Sequence, residues 1–110
     1  MRKIDFNEYI GRLEEPWVAL DIAHVNETSI RIAKIQGEYH WHVHPNEDEF
    51  FLVLKGEVSI EFKDKVINLK EGEGLLVPKG VPHRSKSEKA SVVIIVEPTR
   101  TNTRGIPVEE

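Results

Sequence analysis

The stretch from Gly37 to Gly56, GEYHWHVHPNEDEFFLVLKG, constrains this chain more than any other. His40, His42 and His44 occupy every second position, and a β-strand has a side-chain period of two, so a strand here points all three to one face. Pro45 and an acidic patch follow, then the apolar run Phe50 to Leu54. That order reads as strand, turn and returning strand, with Glu49 brought back opposite the histidines. Imidazoles and a carboxylate gathered on the inner face of a sheet suit a divalent transition metal. The chain has no cysteine, so nitrogen and oxygen are the only ligand atoms on offer, and disulfides and a thiol nucleophile are excluded.

A length of 110 residues supports one domain with one core. The formal net charge of -4 argues against nucleic acid as a partner, because phosphate backbones are bound by basic surfaces. The opening MRKIDFNEYI has no signal-like apolar stretch, and no apolar run is long enough to span a bilayer. The expectation is a soluble, cytoplasmic protein without a membrane partner.

Asp5 and Glu8 are spaced as a capping box, and Phe6, Tyr9, Ile10 and Leu13 recur at helical intervals, which predicts one short amphipathic helix ending before Pro16. From Trp17 the pattern becomes that of strands: WVALDIAHV, TSIRIAKIQ, YHWHVH, Phe50 to Leu54, then Val58, Ile60 and Phe62 alternating with polar residues. Further segments run from Val66 to Leu69 and Leu75 to Val77. The run Val92 to Val96 reads as a strand buried on both faces. Turn residues separate these segments, and the tail from Pro98 reads as an extended arm or a frayed end. Short strands joined by tight turns predict an antiparallel sandwich or barrel.

The spacing resembles the cupin family. Its first motif is met by Gly37, His42, His44, Glu49 and Gly56, and its second by Gly72, Pro78, Gly80 and His83. Two departures stand out: four residues separate Gly37 from His42 where about five are usual, and Ser87 occupies a position where asparagine is common. Neither is a ligand position. The resemblance is to small single-domain cupins often labelled by likeness to mannose-6-phosphate isomerase, a label that says little about the reaction. It implies an all-β, double-stranded β-helix of the jelly-roll type. The partition expected is an N-terminal helix and leading strand over 1–27, the barrel over 28–98 and a C-terminal tail over 99–110.

By the same resemblance the metal ligands are His42, His44, Glu49 and His83, holding one divalent ion of iron, manganese, nickel or zinc. Four ligands leave positions open for a small-molecule substrate. The leading reading is therefore a metal-dependent enzyme, of dioxygenase or isomerase/lyase type, acting on a small polar organic molecule. The competing reading is a non-catalytic module that binds a sugar-like ligand. His40 lies on the ligand face, roughly 7 Å along the strand from His42, too far to share its coordination sphere easily. An imidazole can move protons near neutral pH, so His40 is the candidate catalytic acid or base. If Glu49 faces inward, Phe50, Leu52 and Leu54 face outward, and that apolar surplus predicts a homodimer, with the helix or the tail as other possible covers.

Overall fold

The computed structural model describes residues 1–109. It holds one helix, α1 (Phe6–Ile10), and nine strands: β1 (Leu20–Val25), β2 (Thr28–Glu38), β3 (His42–Val43), β4 (Glu49–Lys55), β5 (Glu57–Phe62), β6 (Val66–Lys70), β7 (Gly74–Val77), β8 (His83–Pro98) and β9 (Ile106–Pro107). All the strand pairings are antiparallel.

β8 organises the architecture because it serves two sheets. Its first residues run between β3 and β5, with His83 opposite both His42 and Phe62. Its later residues run between β2 and β4, with Val96 opposite both Ile30 and Phe50. The exposed Glu88, Lys89 and Ala90 carry the strand from one sheet to the other. One sheet is ordered β1-β2-β8-β4-β7 and the other β9-β3-β8-β5-β6. This is the expected jelly-roll barrel.

The core between the sheets draws on both, with Ala33, Ile35, Phe51 and Val53 from one meeting Val58, Ile60 and Leu69 from the other. Val93 and Ile95 of β8 point into this core, while Val92 and Ile94 point out into a second cluster with Ile22 and Ile32. The apolar run of β8 is thus buried on both faces. Leu52 and Leu54 join the outer cluster, which Ile4, Tyr9, Ile10 and Leu13 of the N-terminal segment cover in part. Burying an aliphatic side chain contributes roughly 1.5–3 kcal/mol, enough to hold so short a helix against the sheet although it would not persist alone.

Some elements differ from the sequence pattern. α1 stops at Gly11, and Arg12 and Leu13 continue as tight turns that donate to Tyr9 and Ile10 carbonyls. Asp5 caps the Asn7 N–H as expected, but Glu8 pairs with Arg12 at 2.6 Å instead of closing a capping box. Of YHWHVH only His42 and Val43 lie in a ladder, because β2 runs on to Glu38 and the chain must bend before it can pair beside His83. At Gly56 the backbone takes φ +85° and a β-carbon would sit 2.2 Å from Ser91 Oγ, so only glycine fits this turn. The tail is an arm: β9 pairs with β3, Val108 N–H donates to the Trp41 carbonyl at 3.0 Å, and Lys63 Nζ reaches the Glu109 carbonyl at 2.7 Å.

Candidate metal centre

Strand register brings the four expected ligands together. His42 of β3 is the ladder partner of His83 at the start of β8, His44 follows two positions on the same face, and Glu49 opens β4 beside Val77. The two turns that carry them are tied to each other. Gly80 N–H donates to the His44 carbonyl at 2.9 Å and Lys79 N–H to Asp48 Oδ1 at 2.9 Å. Asp48 therefore fastens the loop before His83.

All four side chains are buried, and one donor atom from each lies within 4.8 Å of every other. Glu49 Oε1 is 3.3 Å from His83 Nε2 and 3.5 Å from His44 Nε2. His42 Nδ1 donates to the His40 carbonyl at 3.0 Å and His83 Nδ1 to the Val81 carbonyl at 2.8 Å. Those bonds fix both tautomers, leaving Nε2 lone pairs aimed at the centre. Burial, ahead of its charged neighbours, lowers the His42 pKa to about 4 and also lowers that of His44, so both rings are neutral at pH 7. Burial alone would push Glu49 up, but the adjoining His83 and His44 rings outweigh it and its pKa is lowered, so the carboxylate is ionised. His44 Nε2 is buried without a hydrogen-bond partner. Lone pairs and a carboxylate converging in a dry site repel one another unless a cation sits among them, so the residues fit a divalent metal.

The family model described as "Cupin domain" matches residues 30–97. The chain belongs to the cupin family. The uncharacterized protein YdbB of Bacillus subtilis (strain 168) is 42% identical over 94 residues, which cover 84% of this chain and 83% of that one. The crystal structure of a cupin-2 domain containing protein from Shewanella frigidimarina matches with a TM-score of 0.85 at 35% identity, over 86% of this chain and 93% of that one. The 3-hydroxyanthranilate 3,4-dioxygenase 2 of Aspergillus fumigatus is 31% identical over 83 residues, 70% of this cupin but only 40% of the dioxygenase.

Behind Glu49 this cupin carries a polar network that the motifs do not contain. Glu97 of β8 follows Val96, the ladder partner of Phe50, so it stands beside Glu49 on the inner face, and its side chain is fully buried. Burial, and then the Glu49 charge, raise the Glu97 pKa to about 8. Glu97 is therefore protonated at pH 7 beside the Glu49 carboxylate, and its Oε1 is buried without a hydrogen-bond partner. Arg31 of β2 grips the other oxygen at 2.5 Å and also donates to the Thr101 carbonyl at 3.2 Å, the Thr99 carbonyl at 3.0 Å and Asp21 at 2.7 Å. One guanidinium therefore joins the centre to the root of the arm. The signal in the sequence was parity: Arg31 is in step with the inward-facing Ala33 and Ile35, and Glu97 with Val93 and Ile95.

A narrow cavity of about 40 Å³ opens at the centre, touching His42 and Glu49. Its walls include Ala33, Ile35, Phe51 and Ile95, with Thr103 contributed by the arm. Trp17 and Tyr39 also line it, their rings stacked at 4.7 Å and 19°. Burial raises the Tyr39 pKa, keeping the phenol protonated and able to donate.

His40 is outside the four-residue group. Its ring centroid is 5.3 Å from that of His42 and 4.1 Å from that of Tyr39, and its Nε2 donates to the Arg104 carbonyl at 2.9 Å. Gly105 follows at φ +65°, where a β-carbon would sit 2.7 Å from His42 Cδ2. The arm thus lies directly against His42. Trp41 turns outward under Lys63 and Arg84, Arg84 pairs with Glu38 and Glu61, Glu47 pairs with Arg100, and His24 lies 3.7 Å from Asp21.

Proposed function

We propose that this protein is a metal-dependent enzyme of the oxygenase type that acts on a small organic molecule. The observation that carries the reading is the buried His42, His44, Glu49 and His83 group, of which His42 and Glu49 border a small cavity. The likeness to a fungal dioxygenase over most of this chain favours oxygenase over isomerase or lyase chemistry. A bound divalent metal supplies a Lewis acid for substrate oxygens and, if redox-active, a partner for dioxygen. The chain does the rest: Tyr39 offers a hydroxyl donor, Phe51 and Ile95 keep water out, and the arm covers the site. Addition of both oxygen atoms to substrate balances without an external reductant.

His40 is the proposed proton carrier. With its Nε2 proton committed to the Arg104 carbonyl, Nδ1 is left as the accepting atom. The test is dioxygen uptake by iron(II)-loaded protein across a panel of small enolisable and catecholic compounds. Compound-dependent uptake that disappears in His83→Ala supports the proposal. Tight binding of a compound without turnover under any metal favours the non-catalytic binding module instead.

A further inference from the structure

We infer that the cavity takes a chelating ligand with a single negative charge on a compact apolar body, and that Trp17 sets the size of that body. The inference rests on the metal reading of the four-residue group and extends it to the class of ligand.

Charge is the first argument. Three neutral imidazoles and the Glu49 carboxylate leave a divalent ion with one net positive charge, which a monoanionic chelate neutralises. No lysine or arginine is among the residues lining the cavity. Arg104, the cation that acts on Tyr39, has an exposed side chain on the arm. A phosphate monoester, with about two negative charges, would leave one uncompensated in a dry site. The wall is the second argument. Ala33, Ile35, Phe51 and Ile95 offer no hydrogen-bond partner, and the hydroxyls of Tyr39, Ser85 and Thr103 cannot serve every hydroxyl of a sugar.

Trp17 is the third. It follows Pro16 in a turn and takes φ +71°, a left-handed conformation that glycine or asparagine adopts readily and a bulky residue does not. Among the described residues the other non-glycine position with positive φ is Asn26, in the tight β1–β2 turn, where asparagine is ordinary. The Trp17 N–H donates to the Lys34 carbonyl at 2.9 Å, and the strained backbone holds the indole on Tyr39 at the cavity wall. Strain kept at such a place points to function.

Hydroxamates test this because they share one monoanionic chelating head and differ in the body. Zinc-loaded full-length protein is titrated calorimetrically with acetohydroxamate, benzohydroxamate and phosphonoacetohydroxamate, and zinc content is measured on the same samples. Acetohydroxamate should bind at least about tenfold more tightly than the phosphono compound. Trp17→Ala should weaken acetohydroxamate and improve benzohydroxamate, bringing their order closer or reversing it. Trp17→Leu, which keeps an apolar contact on Tyr39, gives the same comparison should alanine unfold the chain. Equal or tighter binding of the phosphono compound overturns the charge assignment, and an unchanged order in both variants overturns the role of Trp17. Full zinc content with no hydroxamate binding overturns the ligand class while leaving the metal reading intact. Absence of zinc in the wild type overturns the metal reading itself, and this inference with it.

Discussion

Replacing Arg31 with methionine should be among the most damaging single changes to the apo protein, although Arg31 touches no metal ligand. The side chain is 9% exposed and satisfies three acceptors on its buried side: Glu97 Oε2 at 2.5 Å, the Thr101 carbonyl at 3.2 Å and the Thr99 carbonyl at 3.0 Å. Methionine fills much of the same space but donates nothing. Orphaning a buried acceptor costs about 1–3 kcal/mol, and part of the arm can relax toward water, so the loss should total about 3–5 kcal/mol. For a chain of this length that corresponds to a Tm lower by roughly 12–20 °C. Asp21 holds the same guanidinium at 2.7 Å but is half exposed, so Asp21→Asn should cost only about 0–1 kcal/mol. Thermal melts of both variants with metal removed by chelation decide it. A Tm drop below about 4 °C for Arg31→Met would refute the argument that this network holds the arm and the Glu49 side of the barrel together.

Other consequences can be checked alongside. Gly105→Ala should push the arm off His42, seen as faster amide exchange over Arg104 to Val108 with the barrel core unchanged, since a β-carbon would meet His42 Cδ2 at 2.7 Å and the Val43 carbonyl at 3.0 Å. In the apo protein, His42 has a folded pKa depressed from 6.5 to about 4, so the unfolded chain binds more protons between those values. Stability from His42 should be fully present above pH 6.5 and fall by about 2–3 kcal/mol as the pH drops toward 4, measurable by chemical denaturation at each pH. His40→Ala should retain full metal content while losing turnover, and His40→Gln should fail only where a proton must move; loss of metal in His40→Ala would make it a ligand. A homodimer remains our proposal for the outer face, where Leu52 and Leu54 are only half-buried and Leu76 is 59% exposed. Sedimentation of a monomer at micromolar concentration would contradict it.

The four-residue group was legible because its members obey strand parity and sit next to glycine and proline turns whose geometry is local. A period of two put His40, His42 and His44 on one face, and the resemblance to the family's two motifs separated His40 from the rest and added His83. The Arg31–Glu97 network follows the same parity, but the partners are 66 residues apart and no local rule says that two inward charges on distant strands meet. The arm was harder still. Its strand partner is only two residues long, so the tail carries no alternation, and Gly105 reveals its role only once His42 stands beside it. Trp17 read as an ordinary strand residue because a left-handed backbone leaves no mark on hydrophobic period. The N-terminal helix was overextended because apolar spacing continues through Leu13 while Gly11 ends the helical hydrogen bonding.

Metal stoichiometry tests the central claim most directly. Elemental analysis of the full-length protein, and of His44→Ala, His83→Ala, Glu49→Gln and His24→Ala variants exposed to the same zinc solution and desalted, should give one metal per wild-type chain. Each of the three ligand variants should lose most of that metal, because one of four buried donors is gone, whereas His24→Ala should keep all of it. Equal metal content across the series, or none in the wild type, would contradict the assignment of His42, His44, Glu49 and His83 as a metal centre.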